Sequence, residues 1–371
     1  LYGVQTTTVI GDVQSGDDIP DTPLADPAGS SSSDDSSGSG SDNAAASSSP
    51  PASSEAPDNA EDGNTTIPEI SKDAKVEKLG AVLVIDDAAY EYYNFDQTAA
   101  DSYIKLVNKA ASKLDGKARV FNMVVPTSMD ICVPESVRSG INTSSQEKAL
   151  NYLHSSMASN VHKVDVFNTL LKHSVAGDYL YFRTDHHWTQ LGAYYAYAEF
   201  CKSKGIEAVP LTQFEKKEYP GFLGSFYADD NALSANPDTV EAYLPKANAT
   251  LDYTTGDDDT ITDWPVIQDG TDYDKENLYL IFIAGDQPYE EITNKDLNDG
   301  SACVVVKESF GNAFVPFLVN HYQHIYVVDY RYYKGNIAAL AKEKGATDVI
   351  MLNNISMTRN ADLVDSISGK F

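Results

Sequence analysis

Cysteine is scarce in this sequence, with 3 among 371 residues. Cys132, Cys201 and Cys303 lie far apart, so the close spacing that marks a zinc cluster or a redox-active pair is missing. We expect all three to be small buried hydrophobic side chains, and a bridge between two of them stays open at this stage.

Positive charge and long apolar runs are also scarce. The chain has 27 Lys and Arg residues against 55 Asp and Glu residues, which gives a formal net charge of −28. Binding to phosphate backbones needs clustered Lys and Arg, so we predict that nucleic acid is not a partner. No apolar stretch is long enough to span a bilayer. The acidity by itself names no partner.

The first part of the chain lacks basic residues altogether. No Lys or Arg precedes Lys72, and residues 11–71 consist mainly of Ser, Asp, Pro, Gly and Ala. Such a composition buries too little apolar surface to offset chain entropy, which predicts a disordered acidic stalk over residues 1–75. The sequence also begins without Met, so we expect a signal peptide or a membrane tether upstream of it. A tail without function is the alternative for this stretch.

Residues 76–371 carry the pattern of a globular domain, in a chain that is 42% hydrophobic. Short apolar runs alternate with segments of helical periodicity, which predicts an α/β fold with three layers (α/β/α) and a mostly parallel sheet. The predicted strands cover 81–85, 119–125, 164–167, 302–306, 325–328 and 349–352. The predicted helices cover 98–114, 144–157, 191–202, 312–320 and 337–344. Residues of about 205–300 break this alternation, and we interpret them as an irregular insertion or lid in which 278–283 is the clearest strand.

Reactive side chains are concentrated in Asp185, His186, His187 and Trp188, and a notable serine, Ser309, lies far downstream. Ser309 follows a predicted strand and precedes a predicted helix, and open α/β sheets place their chemistry at such strand ends. A serine hydroxyl needs a base within reach, and an imidazole oriented by a carboxylate supplies one. Residues two apart on an extended segment point to the same side, so Asp185 can hold His187. The residues therefore predict a triad of Ser309, His187 and Asp185.

This site has other interpretations. Ser309 also suits the N-cap of the helix that follows it. Asp185, His186 and His187 with a further carboxylate would suit a metal. No further ligand lies at a sequence spacing typical of metal sites, so we predict no metal and no cofactor. His186 is either the base itself or a structural residue that packs or bonds to the backbone.

Neighbouring residues, His186 among them, are candidates for contacts to the substrate or to an oxyanion. Gly311 would let the backbone approach a substrate, and Asn312 or the pair 353–354 would donate to an oxyanion beside the helix N-terminus. Arg183 would bind a carboxylate or a sugar oxygen, with a salt bridge as its ordinary alternative. Trp188 would stack on a sugar face, with packing under the site as the alternative.

The combined motifs resemble a known family. The segments YFRTDHHW (181–188), LGAYYAY (191–197), ESFGNAFVPFL (308–318) and DYRYY (329–333) are similar to hallmarks of the DHHW family of Gram-positive surface proteins. The resemblance extends from about residue 80 to 354. That family is in turn similar to the SGNH-hydrolase-like proteins of alginate O-acetylation, in which an Asp-x-His motif precedes the nucleophilic serine.

Carried over by motif, the resemblance implies Ser309 as nucleophile, His187 as base and Asp185 as its partner. Two positions depart from the pattern: Glu308 stands where Asp is more usual, which changes the packing of the turn, and the doubled histidine leaves His186 as an alternative base.

The resemblance also implies an activity and a location. It implies an extracytoplasmic serine esterase or O-acetyltransferase, which would act on acyl groups of a cell-surface glycan. Its partners would be a cell-surface polysaccharide or an acyl donor, and its location extracellular or at a Gram-positive-like cell surface. Water as acceptor would make it an esterase, and a sugar hydroxyl would make it a transferase. A non-catalytic glycan-binding or scaffolding module of the cell envelope is the alternative.

Overall fold

A computed structural model of the protein describes residues 6–10, 13–25, 75–77, 82–229, 231–256 and 258–371. It describes residues 6–10, 75–77, 228–229 and 231–232 by their backbone alone. The strands are, in order, β1 (Thr6–Ile10), β2 (Lys75–Glu77), β3 (Val82–Ile85), β4 (Ala88–Glu91), β5 (Arg119–Val125), β6 (Val161–Lys163), β7 (Glu215–Phe222), β8 (Asp238–Leu244), β9 (Ala249–Thr254), β10 (Thr260–Trp264), β11 (Tyr289–Asn294), β12 (Ala302–Lys307), β13 (His324–Asp329) and β14 (Asp348–Asn354).

Helices connect most of these strands. They are α1 (Gln97–Leu114), α2 (Ser128–Cys132), α3 (Glu135–Arg138), α4 (Gln146–Ser156), α5 (Phe167–Ala176), α6 (Gln190–Lys204), α7 (Ser225–Asp229), α8 (Phe310–Leu318), α9 (Ile337–Glu343) and α10 (Ala361–Ser368). Within the described ranges, each helix is too short or too polar to cross a membrane.

The central sheet has eight strands in the order β10-β9-β11-β13-β12-β14-β5-β6. Its half from β13 to β6 pairs in parallel, and its half from β10 to β13 pairs antiparallel. All six residues of β12 are buried, as expected for a strand covered on both faces. The α/β class is therefore confirmed. The mostly parallel sheet is corrected to a mixed one, and the three-layer arrangement stays a prediction.

The segment predicted as an irregular insertion, 205–300, supplies the antiparallel half of this sheet through β9, β10 and β11. It also forms a separate hairpin of β7 and β8. The prediction of a strand at 278–283 was wrong, because residues Lys275–Ile281 form a 3-10 helix. The segment therefore extends the core of the fold as well as bordering the site.

Two further strand predictions need correction. The strand β3 belongs to a separate four-stranded sheet of order β2-β1-β3-β4, so it does not begin the central sheet. The strand predicted at 164–167 lies earlier, at β6, and Phe167 already begins α5.

The predicted stalk differs from the structure in its first residues. β1 pairs with β3 of the small sheet, and the backbone of 13–25 runs along the domain, where Asp17 N donates to Phe95 O at 2.7 Å and Leu24 N to Ser156 Oγ at 2.9 Å. These residues are therefore attached to the domain. Apart from β2, which begins at Lys75, the rest of the predicted stalk, from residue 26 onward, lies outside the described residues.

The helices that border the central sheet have clear local causes. Asp96 caps α1 by accepting from Ala99 N at 2.8 Å, and the apolar face of α1 is buried against the core. Thr189 caps α6, as predicted, by accepting from Gly192 N at 3.2 Å. Gly205 ends α6 in the left-handed conformation that favours glycine. The three cysteines are free, with Cys201 and Cys303 buried.

Candidate active site

Ser309 lies in the turn between β12 and α8, at the carboxyl end of a parallel strand. Among the described residues, its side chain makes no capping bond to α8, although it occupies the N-cap position. Its Oγ instead lies 2.7 Å from His187 Nε2. The residue Ser309 is 8% exposed and counts as buried. The turn therefore presents the serine to an imidazole and does not use it as a helix cap.

His187 is held on its other side by Asp185. The Nδ1 atom lies 2.6 Å from Asp185 Oδ1, and the backbone N–H of His187 donates to the same oxygen at 2.9 Å. The second carboxylate oxygen accepts from Ser225 N at 2.8 Å. An ionised carboxylate can only accept, so Nδ1 carries the proton and Nε2 is left to accept from the Ser309 hydroxyl.

The pKa values favour this protonation state. Burial lowers the pKa of His187 to about 4, and the neighbouring His186 acts in the same direction, against the opposing effect of Asp185. Burial opposes ionisation of Asp185, but the two imidazoles and the hydrogen bonds to it hold the pKa of that carboxyl well below its usual range. A neutral imidazole beside a carboxylate is the arrangement a general base requires.

A buried glutamate fixes the turn of Ser309. Glu308 accepts from Phe310 N at 3.1 Å and from Asn354 N at 2.9 Å, which ties the turn to the end of β14. Its Oε2 lies 3.2 Å from Ser309 Oγ. The hydroxyl proton belongs to the shorter contact with His187, so this longer contact is a hydrogen bond only when Glu308 carries a proton. Burial raises the pKa of Glu308, which favours that form.

Tyr279, from the 3-10 helix of the inserted segment, contacts both the base and the serine. Its ring stacks on the His187 imidazole with centroids 4.0 Å apart. Its hydroxyl donates to Ser309 O at 3.0 Å. Burial raises the pKa of Tyr279 well above its ordinary value, so the phenol keeps its proton. The inserted segment therefore builds part of the site.

These contacts surround the segment Asp185–Trp188, whose sequence is DHHW. A family model described as DHHW protein matches residues 1–328. This chain belongs to the DHHW family. The four residues Asp185–Trp188 form the motif, and the resemblance found in the sequence is thereby confirmed.

Solved structures share the fold. A DHHW family protein from Eubacterium siraeum is 28% identical, with a TM-score of 0.70 over 78% of this chain and 96% of that chain. PatB1 from Bacillus cereus is 18% identical, with a TM-score of 0.65 over 76% of this chain and 97% of that chain. The O-acetyltransferase domain of Pseudomonas putida AlgJ is 12% identical, with a TM-score of 0.41 over 77% and 98%, too distant to support an argument. The comparison with curated proteins found no match.

Within the DHHW motif, the two histidines have different surroundings. His187 alone bonds to Ser309, so the geometry favours it over His186 as the base. His186 is partly exposed, its Nδ1 lies 2.7 Å from Ser225 Oγ, and its ring lies 3.8 Å from that of His187. The two histidines and Asp185 also place one potential metal-ligating atom each within 4.8 Å of one another. Both nitrogens of His187 are engaged in the Ser-His-Asp chain, which fits a metal poorly.

In the structure Arg183 forms a salt bridge and Trp188 packs under the site, which are the alternatives to substrate contacts given above. The Arg183 guanidinium lies 3.3 Å from Asp238 Oδ1 and over the ring of Tyr179. Trp188 is fully buried, and its Nε1 donates to Phe310 O at 2.9 Å, so the indole packs under the site. Neither side chain takes the position expected for a contact to a sugar.

Gly311 and Asn312 also differ from expectation. A Cβ on Gly311 would lie 2.6 Å from Lys307 Cβ, so the close approach that this glycine permits is to Lys307 and not to a substrate. The Asn312 side chain is buried between Lys307 Nζ at 2.6 Å and Asp286 Oδ1 at 2.9 Å. Both ends of its amide are engaged, so it does not face an oxyanion.

The residue pair 353–354 is likewise engaged elsewhere. Asn353 Nδ2 donates to Tyr103 at 3.2 Å. Asn354 Oδ1 accepts from Ser356 N at 2.8 Å, and its backbone N–H donates to Glu308. The Asn353 amide is therefore engaged with Tyr103, and the Asn354 side chain accepts from the turn that follows it.

Asp238, at the start of β8, is a further residue that the sequence did not indicate. It is fully buried and accepts from Thr184 N at 2.8 Å and from Thr184 Oγ1 at 2.6 Å, which fixes the backbone directly before the DHHW motif. A lone aspartate between Pro237 and Thr239 carries no pattern from which this contact could be predicted.

An open cavity of about 430 Å³ begins at the DHHW motif. Asp185 and both histidines form one wall, and Tyr279 forms another. The remaining walls come from β7, the start of α7 and the inserted 3-10 helix. The cavity has the size of a small-molecule site and opens beside the base that contacts Ser309.

Proposed function

We propose that this DHHW family protein is a serine esterase or O-acetyltransferase that acts on acyl groups of a cell-surface glycan. The observation that carries the proposal is the chain of two short contacts, Ser309 Oγ to His187 Nε2 at 2.7 Å and His187 Nδ1 to Asp185 at 2.6 Å. A nucleophile, a base and an orienting acid within hydrogen-bonding reach are the requirement for acyl transfer through a serine.

The mechanism follows from the roles of these atoms. Ser309 Oγ attacks the acyl carbonyl while its proton passes to His187 Nε2, and Asp185 stabilises the imidazolium. His187 then returns the proton to the departing alkoxide, which leaves an acyl group on Ser309. His187 next deprotonates the acceptor, which attacks the acyl carbonyl, and the proton returns to Ser309 Oγ as the bond between Oγ and the acyl group breaks. Water as acceptor gives hydrolysis and a sugar hydroxyl gives transfer. The backbone N–H of Ser309, together with a neighbouring donor, is proposed to stabilise the oxyanion.

The glycan substrate and the extracytoplasmic location are part of this proposal. The family membership and the acidic, Ser-rich N-terminal stretch support it, and the fold shared with PatB1 is compatible with it. A membrane tether upstream of residue 1 and a Gram-positive-like cell surface belong to the same proposal.

The test is hydrolysis of p-nitrophenyl acetate by the wild type, Ser309→Ala and Ser155→Ala. We expect Ser309→Ala to lose activity by about a thousandfold or more. Ser155, whose hydroxyl donates to Tyr152 O on α4, is a matched control and should keep full activity. A sulfonyl fluoride should label Ser309 in the wild type, seen as a mass adduct on its peptide. Equal background rates for wild type and Ser309→Ala would favour a non-catalytic glycan-binding module.

A further inference from the structure

The cavity beside the triad has apolar, aromatic walls. Phe222, Tyr227, Tyr279 and Leu280 contribute to its lining, and Leu280 is 41% exposed at its rim. Flat aromatic surfaces with a few hydrogen-bonding groups between them are typical of sites that bind the apolar faces of sugar rings. Ser225 and Asn277 supply such groups in the same lining.

The charges of this lining have one sign. Asp185 and Glu276 contribute carboxylates, and among the described residues that line the cavity none is Lys or Arg. The pKa of Asp185 is held well below its usual range, so it stays ionised, and the lowered pKa of His187 leaves that imidazole neutral at pH 7. Lys275 Nζ, next to Glu276 in sequence, donates to Pro220 O. The residues that line the cavity therefore contribute carboxylates and no lysine or arginine.

We infer that the cavity takes a sugar unit that carries no acidic group and rejects glycans with carboxylate or phosphate groups near the acylated position. The inference rests on the proposed function and names the substrate class of the same site. An anionic unit would bring its charge against Glu276 and Asp185 in a cavity whose described lining holds no Lys or Arg, and such like-charge contacts disfavour a partner. Glu276 acts as the specificity determinant because it is the exposed acid in this lining.

The experiment compares O-acetylated oligosaccharides of equal length, one from a neutral glucan and one from a polyuronate, by kcat/KM for acetate release. Both oligosaccharides are also offered as acceptors with p-nitrophenyl acetate as acetyl donor. We expect the wild type to prefer the neutral substrate by about tenfold or more. Added NaCl should narrow that ratio because it screens the repulsion.

Glu276→Gln should reduce the ratio, and Glu276→Lys should reduce it further or reverse it. A general defect of a variant lowers kcat/KM for both oligosaccharides alike, so it leaves the ratio of the two values unchanged. Glu147→Lys on α4, far along the chain from the cavity lining, is the control and should leave the ratio unchanged.

The failures are distinguishable. If the wild type does not turn over p-nitrophenyl acetate, the proposed function fails and this inference fails with it. If p-nitrophenyl acetate is hydrolysed but the two oligosaccharides react equally, or neither reacts, the substrate inference alone is overturned. A ratio that Glu276→Lys leaves unchanged also overturns it.

Discussion

The ring of Tyr279 lies nearly parallel to the imidazole of His187, with centroids 4.0 Å apart and an interplanar angle of 13°. The same tyrosine donates its hydroxyl proton to Ser309 O at 3.0 Å. One side chain from the inserted segment thus limits both the tilt of the base and the position of the serine backbone. Because Tyr279 also covers the ring, it helps to keep His187 away from water.

Substitution of Tyr279 should separate these two contacts. Tyr279→Phe keeps the stack and loses one hydrogen bond, so we expect kcat/KM to fall by less than about tenfold. Tyr279→Leu also loses the stack, and we expect a fall of about a hundredfold because the base is no longer oriented. Removing the cover raises the pKa of His187 toward its ordinary value, so the acid limb of the pH profile should move up in Tyr279→Leu. A fall in rate without that movement would indicate a structural role only.

The pH dependence of activity should follow His187. Burial lowers its pKa to about 4, so the base is neutral above that pH, and activity should be lost as the pH falls through about 4. His186 also lowers the pKa of His187, so His186→Asn should move the acid limb of kcat/KM to higher pH. Asn can still bond to Ser225, which separates the electrostatic effect from that contact. An unshifted limb would show that His186 does not tune the base.

Much of this site was predictable because its signals are local. The Asp-x-His spacing and the serine after a buried strand identify the three residues that the structure brings together. Thr189 before an Ala-rich segment likewise predicts the start of α6. These features depend on neighbours in sequence, so the sequence alone contains them.

Other features of the fold and of the site could not be predicted because their sequence patterns are typical of a different structure. In β11 the buried positions are Glu290, Ile292 and Asn294, so the alternation that predicts a strand is masked by two polar residues. The run 278–283 looks like a buried strand by composition, yet tertiary packing bends it into a 3-10 helix that carries Tyr279. The sequence predicts that Gly311 lets the backbone approach a substrate and that Asn312 donates to an oxyanion. The sequence could not show that buried Lys307 occupies the space beside both of them.

Glu290 belongs to a buried charged group behind Ser309. Lys307 Nζ lies 3.5 Å from Asp329, 3.5 Å from Asp286 and 4.0 Å from Glu290, and both Lys307 and Glu290 are fully buried. Burial raises the pKa of Glu290 well above its ordinary value, so the folded protein favours its neutral form. The stability that the neutral form contributes is fully present below the pKa that the Glu290 carboxyl has in the unfolded chain. It is lost as the pH rises through the higher pKa that this carboxyl has in the folded protein.

Glu290→Gln should therefore change the pH dependence of stability. We expect a gain in Tm over the wild type at pH 8 and a smaller or absent gain at pH 5, because Gln resembles the neutral acid and does not ionise. Lys307→Met is the contrasting variant, since it leaves buried carboxylates without their cation and should cost about 3–5 kcal/mol. Thermal unfolding at both pH values measures each effect. A loss of Tm for Glu290→Gln that is larger at pH 8 would contradict the neutral form.

Glu308 offers a test of how firmly the serine must be held. Its carboxyl group reaches the backbone of Phe310 and of Asn354, so it joins the turn to the neighbouring strand. Aspartate is shorter by one methylene and can hold only one of these amides at a time, and alanine can hold neither. We therefore expect kcat to fall in the order wild type, Glu308→Asp, Glu308→Ala, by about tenfold at each step, with KM little changed.

The rate of Ser309 labelling by a sulfonyl fluoride should fall in the same order, because it reports the placement of the hydroxyl without any glycan. Thermal unfolding of each variant supplies the control, since a variant that loses Tm without losing labelling rate has only weakened the fold. If Glu308→Ala is labelled as fast as the wild type, the shape of the turn is maintained by β12 and α8 alone. The short contact between Ser309 and His187 would then not depend on the glutamate beneath it.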